Sequence, residues 1–126
     1  MIERILVPGI PVPQSPYSHA VRAGGFIYVS GQGPMDFKTG EWSYGDIYHE
    51  TRLVLLNIQS ILAGCGASLS EVVKVSVFLK NASDFGAMNE VFREFFDDAK
   101  PARTTVEAKF ANPTMLVEID CVAYKP

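Results

Sequence analysis

Between Asp46 and Lys80 the apolar residues change their period, and few folds accommodate that change. From Asp46 to Ala63, Ile47, Thr51, Val54, Leu55, Ile58, Ile61 and Leu62 recur at three- and four-residue steps, which predicts a helix with one buried face. Gly64 and Gly66 suit its C-terminal cap. From Val72 to Lys80 the pattern alternates instead. Val73, Val75, Val77 and Leu79 fall on one side and Lys74, Ser76 and Lys80 on the other, which predicts a half-buried strand. A striped helix and a one-sided strand bury their apolar faces against each other, so the chain is led toward a layered α+β domain.

The remaining segments extend that pattern. A second helix is predicted over Asp84–Asp97, with Phe85, Met88, Val91, Phe92, Phe95 and Phe96 as its stripe, and Lys100-Pro101 ends it. Upstream, Tyr17–Ala23 and Phe26–Gln32 read as two strands joined by a Gly24-Gly25 hairpin turn. Phe26, Tyr28, Ser30 and Gln32 share one face of the second of these; Ile27 and Val29 share the other. A turn follows at Lys38-Thr39-Gly40. Arg103–Phe110 and Met115–Tyr124 close the chain as strands, joined near Asn112-Pro113. The expected architecture is α+β, a mixed sheet with both helices on one face. Its other face carries many apolar residues, so a subunit partner is expected to cover it.

With 126 residues and neither repeat nor linker, residues 1–126 are expected to form one domain. The segment Pro8–Pro16 holds four prolines in nine residues and is expected to be an ordered, extended surface loop. Eleven basic residues face fourteen acidic ones, without a dense cationic run, which argues against nucleic acid as the main partner. The N-terminus lacks an apolar signal core and no long apolar run follows, so no membrane segment is expected. Cys65 and Cys121 form no paired motif and are expected to be reduced, buried thiols in a cytoplasmic protein.

Candidate chemistry is sparse. His19 and His49 have no partner at metal-ligand spacing, and no phosphate-binding or dinucleotide fingerprint is present, so neither metal nor cofactor is expected. Arg103, Thr105, Glu107 and Lys109 share one strand face; Glu118 and Asp120 share another with Leu116, Val122 and Tyr124. A half-buried arginine can hold a carboxylate through two parallel hydrogen bonds. It can equally form an internal ion pair with Glu118 or Asp120, and Glu118 can equally be a surface carboxylate on an edge strand. The residues alone leave these alternatives open.

Five segments narrow the choice: Ser15-Pro16-Tyr17-Ser18, Val29-Ser30-Gly31-Gln32-Gly33-Pro34, Asp84-Phe85-Gly86-Ala87-Met88-Asn89, Pro101-Ala102-Arg103 and Val117-Glu118-Ile119-Asp120. In order and spacing they resemble the successive motifs of the RidA/YjgF family, over nearly the whole chain. The resemblance implies a chorismate-mutase-like fold and a homotrimer with a barrel-like core and clefts between subunits. It also implies a deaminase that hydrolyses reactive 2-imino acids, of the 2-iminobutanoate/2-iminopropanoate type, to 2-oxo acids and ammonia. By the same resemblance Arg103 binds the substrate carboxylate and Glu118 moves protons. Tyr17, Ser30, Gly31, Asn89 and Thr105 line or support the cleft. One departure is Thr105, where many members carry cysteine. Alternatives within the resemblance are a specialised deaminase of the 2-aminomuconate or aminoacrylate type, for which Trp42-Ser43-Tyr44 leaves room, and a non-catalytic sensor of 2-oxo acids. Ribonuclease activity, attached to relatives, fits poorly with the acidic balance.

Overall fold

A long hairpin, a β–α–β crossover and a returning strand make one mixed sheet. In the computed structural model, which describes residues 1–126, the strands are β1 (Ile2–Ile5), β2 (Ala20–Ala23), β3 (Phe26–Gln32), β4 (Met35–Asp36), β5 (Glu41–Trp42), β6 (Val72–Leu79), β7 (Ala102–Glu107) and β8 (Val117–Tyr124). The helices are α1 (Ile47–Gly64) and α2 (Phe85–Phe96). The main sheet runs β1-β2-β3-β8-β6-β7, and β4 with β5 forms a separate two-stranded ribbon. All main-sheet pairs are antiparallel except β6 and β7. Parallel neighbours need a long crossover, and α2 supplies it.

Both helices bury their stripes in one core with the sheet. Leu55, Ile58 and Leu62 of α1 and Met88, Val91 and Phe92 of α2 meet Val75, Val77, Ile119 and Cys121 there. Asp46 caps α1, its Oδ1 accepting from His49 N at 2.8 Å. The two glycines expected at the other end have separate jobs. Gly66 takes the left-handed conformation, at φ +78°, that ends the helix. Gly64 is still inside the helix, and Val7 packs where its Cβ would be, so a larger residue would clash there. No helix is long and apolar enough to cross a membrane.

Several expected boundaries move, for identifiable reasons. The strand expected from Tyr17 begins at Ala20, after the last proline of the loop. The strand expected to run to Phe110 ends at Glu107, because Ala108 N takes the last ladder acceptor, Leu79 O. β1 was not anticipated; it is a short, largely exposed edge strand without clear alternation. Two register shifts also change which way side chains point. One lies between Val72 and Lys74, and it leaves Val73 45% exposed instead of in the core. The other lies between Val29 and Gln32 and turns Gln32 inward, away from the face of Phe26 and Tyr28. The second shift falls on Ser30 and Gly31.

The uncovered face of the sheet is apolar at both ends. Phe26, Tyr28, Val106 and Tyr124 are each between 41% and 48% exposed, and Phe26 and Tyr124 pack at 5.0 Å between ring centroids. The proline-rich loop is ordered, as expected, through a buried histidine. Val7 N–H donates to His19 Nδ1 at 2.8 Å, so the other ring nitrogen carries the proton and donates to Pro11 O, also at 2.8 Å. Replacing His19 by Ala strips a buried donor and a backbone acceptor of their partner. The expected loss is about 1–3 kcal/mol, read as a lower urea midpoint at unchanged slope.

Candidate functional site

Arg103 lies on the helix-covered side of β7, in register with Val75. Its guanidinium runs toward α2, where Phe85, Asn89 and Phe92 share one face at helical spacing. The Arg103 Cζ sits 4.7 Å from the Phe92 ring centroid and 5.6 Å from that of Phe85. Nη1 donates to Asn89 Oδ1 at 2.7 Å. That is the side chain's one protein hydrogen bond, out of five N–H donors. No carboxylate is paired with it; the ion pairs of the chain are Arg22–Glu3, Arg52–Glu94 and Lys125–Glu71. Burial holds the guanidinium below its ordinary value, with no acid offsetting the cost. The side chain opens into a pocket of about 200 Å³ that also includes Arg93, Lys100 and Asp97.

Glu118 is elsewhere. It stands on the uncovered face of β8, in register with Phe78, and β8 is a central strand rather than an edge. Arg103 and Glu118 are therefore two strands and about three residues apart, roughly 14 Å in the sheet plane, and on opposite faces. The internal ion pair with Glu118 or Asp120 does not form. Burial, then repulsion from Asp120, raises the Glu118 carboxyl above its ordinary value. Burial likewise raises Asp120, against the opposing effects of a Ser76 hydrogen bond and of Lys74. Gly31 is what lets Glu118 lie where it does: a Cβ there would collide with Glu118 Oε2.

The expected site residues thus divide into two groups within one chain. Arg103, Asn89 and Thr105 belong to the helix side, with Thr105 Oγ1 buried and unpartnered. Gly31 and Glu118 are neighbours at the β3 bulge. Beside them, Ser30 Oγ donates to Ser18 O at 2.6 Å. Tyr17 and Gly31 line a recess of about 300 Å³ that also reaches Trp42. The aromatic rings beneath Arg103 were missed as anything but core. Their signal was Asn89 set between Phe85 and Phe92 on an otherwise apolar stripe. Both cysteines are buried and unpaired, and Cys121 is pushed up to about 12 by burial, which makes it a poor nucleophile.

This α+β domain, with an unpaired arginine over one sheet face and a carboxyl on the other, has clear relatives. The family model described as endoribonuclease L-PSP matches residues 9–125. A RutC family protein of Pyrococcus horikoshii is 48% identical over 125 residues, covering 99% of each chain. A 2-iminobutanoate/2-iminopropanoate deaminase of Dermatophagoides farinae is 39% identical over 118 residues, 94% of this chain and 92% of that one. The crystal structure of E. coli TdcF with bound serine superposes with a TM-score of 0.88 at 30% identity, covering 98% of this chain and 99% of that one. The chain belongs to the RidA/YjgF/RutC family.

Two outcomes follow from the Glu118 environment. A carboxyl whose folded value is raised keeps a proton that the unfolded chain has released. Its contribution to stability is full below the ordinary carboxylate range and is lost as pH rises through the folded value. Glu118→Gln should therefore melt higher than the parent at about pH 7, with the gain closing toward about pH 4. Gly31→Ala should fold, because the obstructing atom is the mobile end of Glu118, but it should displace that carboxylate. A melting point near the parent's, with the pH-dependent gain of Glu118→Gln now reduced, is the expected result.

Proposed function

We propose that the protein is a deaminase of 2-imino acids, with the carboxylate of the substrate held by Arg103. The observation that carries this is a partly buried guanidinium with aromatic packing, one amide partner and no acid. Partial desolvation of a charge costs free energy that a bound anion would offset. A planar carboxylate fits the remaining N–H pairs. The D. farinae relative is named for this reaction, and TdcF was crystallised with serine, which itself carries a carboxylate.

Because Arg103 and Glu118 face opposite ways, one chain cannot bring both to one substrate. We propose a homotrimer in which one protomer presents Arg103, supported by Asn89 and Thr105. Its partner presents Tyr17, Ser30, Gly31 and Glu118. The uncovered apolar sheet face favours such an assembly.

The reaction is written on the iminium, C2=NH₂⁺, formed directly or by protonation of the enamine tautomer at C3. Arg103 fixes the carboxylate and so the position of C2, which reduces the entropic cost of attack. Water adds to C2, forming a C–O bond as the C=N π electrons move to nitrogen. Glu118 accepts the water proton and returns a proton to the amine. The C–N bond then breaks and ammonia leaves, while C2=O forms with loss of the hydroxyl proton. One iminium and one water give one 2-oxo acid, one ammonia and one proton, which passes to the released ammonia or to solvent. A carboxyl raised above its ordinary value suits both halves of that transfer. The RNA cleavage named in the family description has less support, since acidic residues outnumber basic ones fourteen to eleven.

The test generates 2-imino acids in situ with an amino-acid oxidase and follows semicarbazone formation with and without the protein. Arg103→Ala should lose about 100-fold or more in kcat/KM while keeping the mass of the parent assembly by light scattering. Parental turnover in that variant rejects the assignment. Glu118→Gln should lower kcat with little change in the binding of the 2-oxo acid product. Equal loss of both would make Glu118 a structural residue.

A further inference from the structure

Two recesses flank the Gly31–Glu118 contact, and Trp42, one ring of an aromatic pair, lines the first of them. The first recess, about 300 Å³, includes Tyr17, Gly31, Gly33 and Trp42. The second, which contains Glu118 itself, is bounded by Phe78 and the Ala108–Ala111 segment. Trp42 and Tyr44 stack with 6.3 Å between ring centroids and 13° between planes. Trp42 is admitted to the first recess because Gly33 has no Cβ; one there would lie 2.9 Å from Trp42 Cζ3. Tyr44 is tied toward the second, its hydroxyl accepting from Asn112 Nδ2 at 2.9 Å, just beyond the segment that lines Glu118's pocket.

The pair is held before any ligand arrives. Trp42 is in register with Met35 across the β4–β5 ribbon. Ser43 N donates to Pro34 O at 2.8 Å, and the His49 ring engages Ser43 at 3.0 Å. Yet Trp42 and Tyr44 remain 43% and 42% exposed. A rigid, half-open aromatic surface binds an apolar group without the cost of ordering itself. Nothing in the deamination step uses it.

We propose that Trp42, with Tyr44 behind it, is the subsite for the substrate's side chain. Its ring sets a preference, within the 2-imino acids, for a branched or aromatic apolar side chain over a methyl group. This rests on the deaminase reading, and so the experiment separates the two.

Trp42 is the chain's single tryptophan, so its emission reports on the subsite alone. The intact protein is titrated with stable 2-oxo acid products, 4-methyl-2-oxopentanoate and pyruvate, with calorimetry in parallel. The larger acid should change Trp42 emission saturably and pyruvate should not, while calorimetry detects both. In the coupled assay, Trp42→Ala should lose about tenfold in kcat/KM for the leucine-derived imine and less than about twofold for the alanine-derived one. Trp42→Phe should restore the preference, and Tyr44→Leu, which leaves Trp42 in place, should weaken it if Trp42→Ala does not fold. Equal losses on both imines, or an emission change with pyruvate as large as with the branched acid, overturn the subsite alone. Absence of binding by either acid, or binding unaffected by Arg103→Ala, overturns the deaminase reading instead.

Discussion

The pleat of β8 governs where every charged group of interest can go. β8 is hydrogen-bonded on both edges, to β3 and to β6, so its register cannot slip without moving the whole sheet. Val117, Ile119, Cys121 and Ala123 are buried under the helices, which forces Glu118, Asp120, Val122 and Tyr124 to the uncovered face. The β6–β7 register then places Arg103 beneath the helices, beside α2. An acid and a base that look close in sequence are thus kept apart by the alternation of one strand. The same parity leaves aromatic residues unburied next to half-buried carboxyls, the surface on which the proposed assembly rests.

The two polar groups are supported in opposite ways. Arg103 is cationic over electron-rich ring faces and is oriented by a neutral amide, which positions the fork without neutralising it. Glu118 lies against a glycine at a β-bulge, in a neighbourhood that favours its protonated form. In the proposed deamination, a cation awaiting an anion and a carboxyl ready to exchange a proton make complementary demands on one small substrate. Deamination of an imine that already reacts with water asks for little more than their alignment. Both thiols are buried, and burial pushes Cys121 far above neutrality.

Much of the fold was legible in the residues. The stripe from Ile47 to Leu62, the stripe of α2 and the alternation in β8 all report local periodicity, and periodicity follows directly from backbone geometry. The misplaced residues mark where that geometry is interrupted. Val73 and Gln32 each sit beside a register shift, and a bulge is decided by both strands of a pair together. Asn89 beside Arg103 and Glu118 beside Gly31 were named through resemblance. Their contacts join segments 14 and 87 residues apart, which no local pattern reveals.

By itself the sequence determined both helices, the longer strands of the main sheet, the Gly66 cap and the family, because periodicity, capping and motif order are written in consecutive residues. Only the tertiary structure decided that Arg103 has no internal acid, that Glu118 is central and half-buried, and that the two face apart. Those are facts of strand order and sheet face. They depend on which strands pair, and that is chosen by burial of the whole core rather than by any one segment.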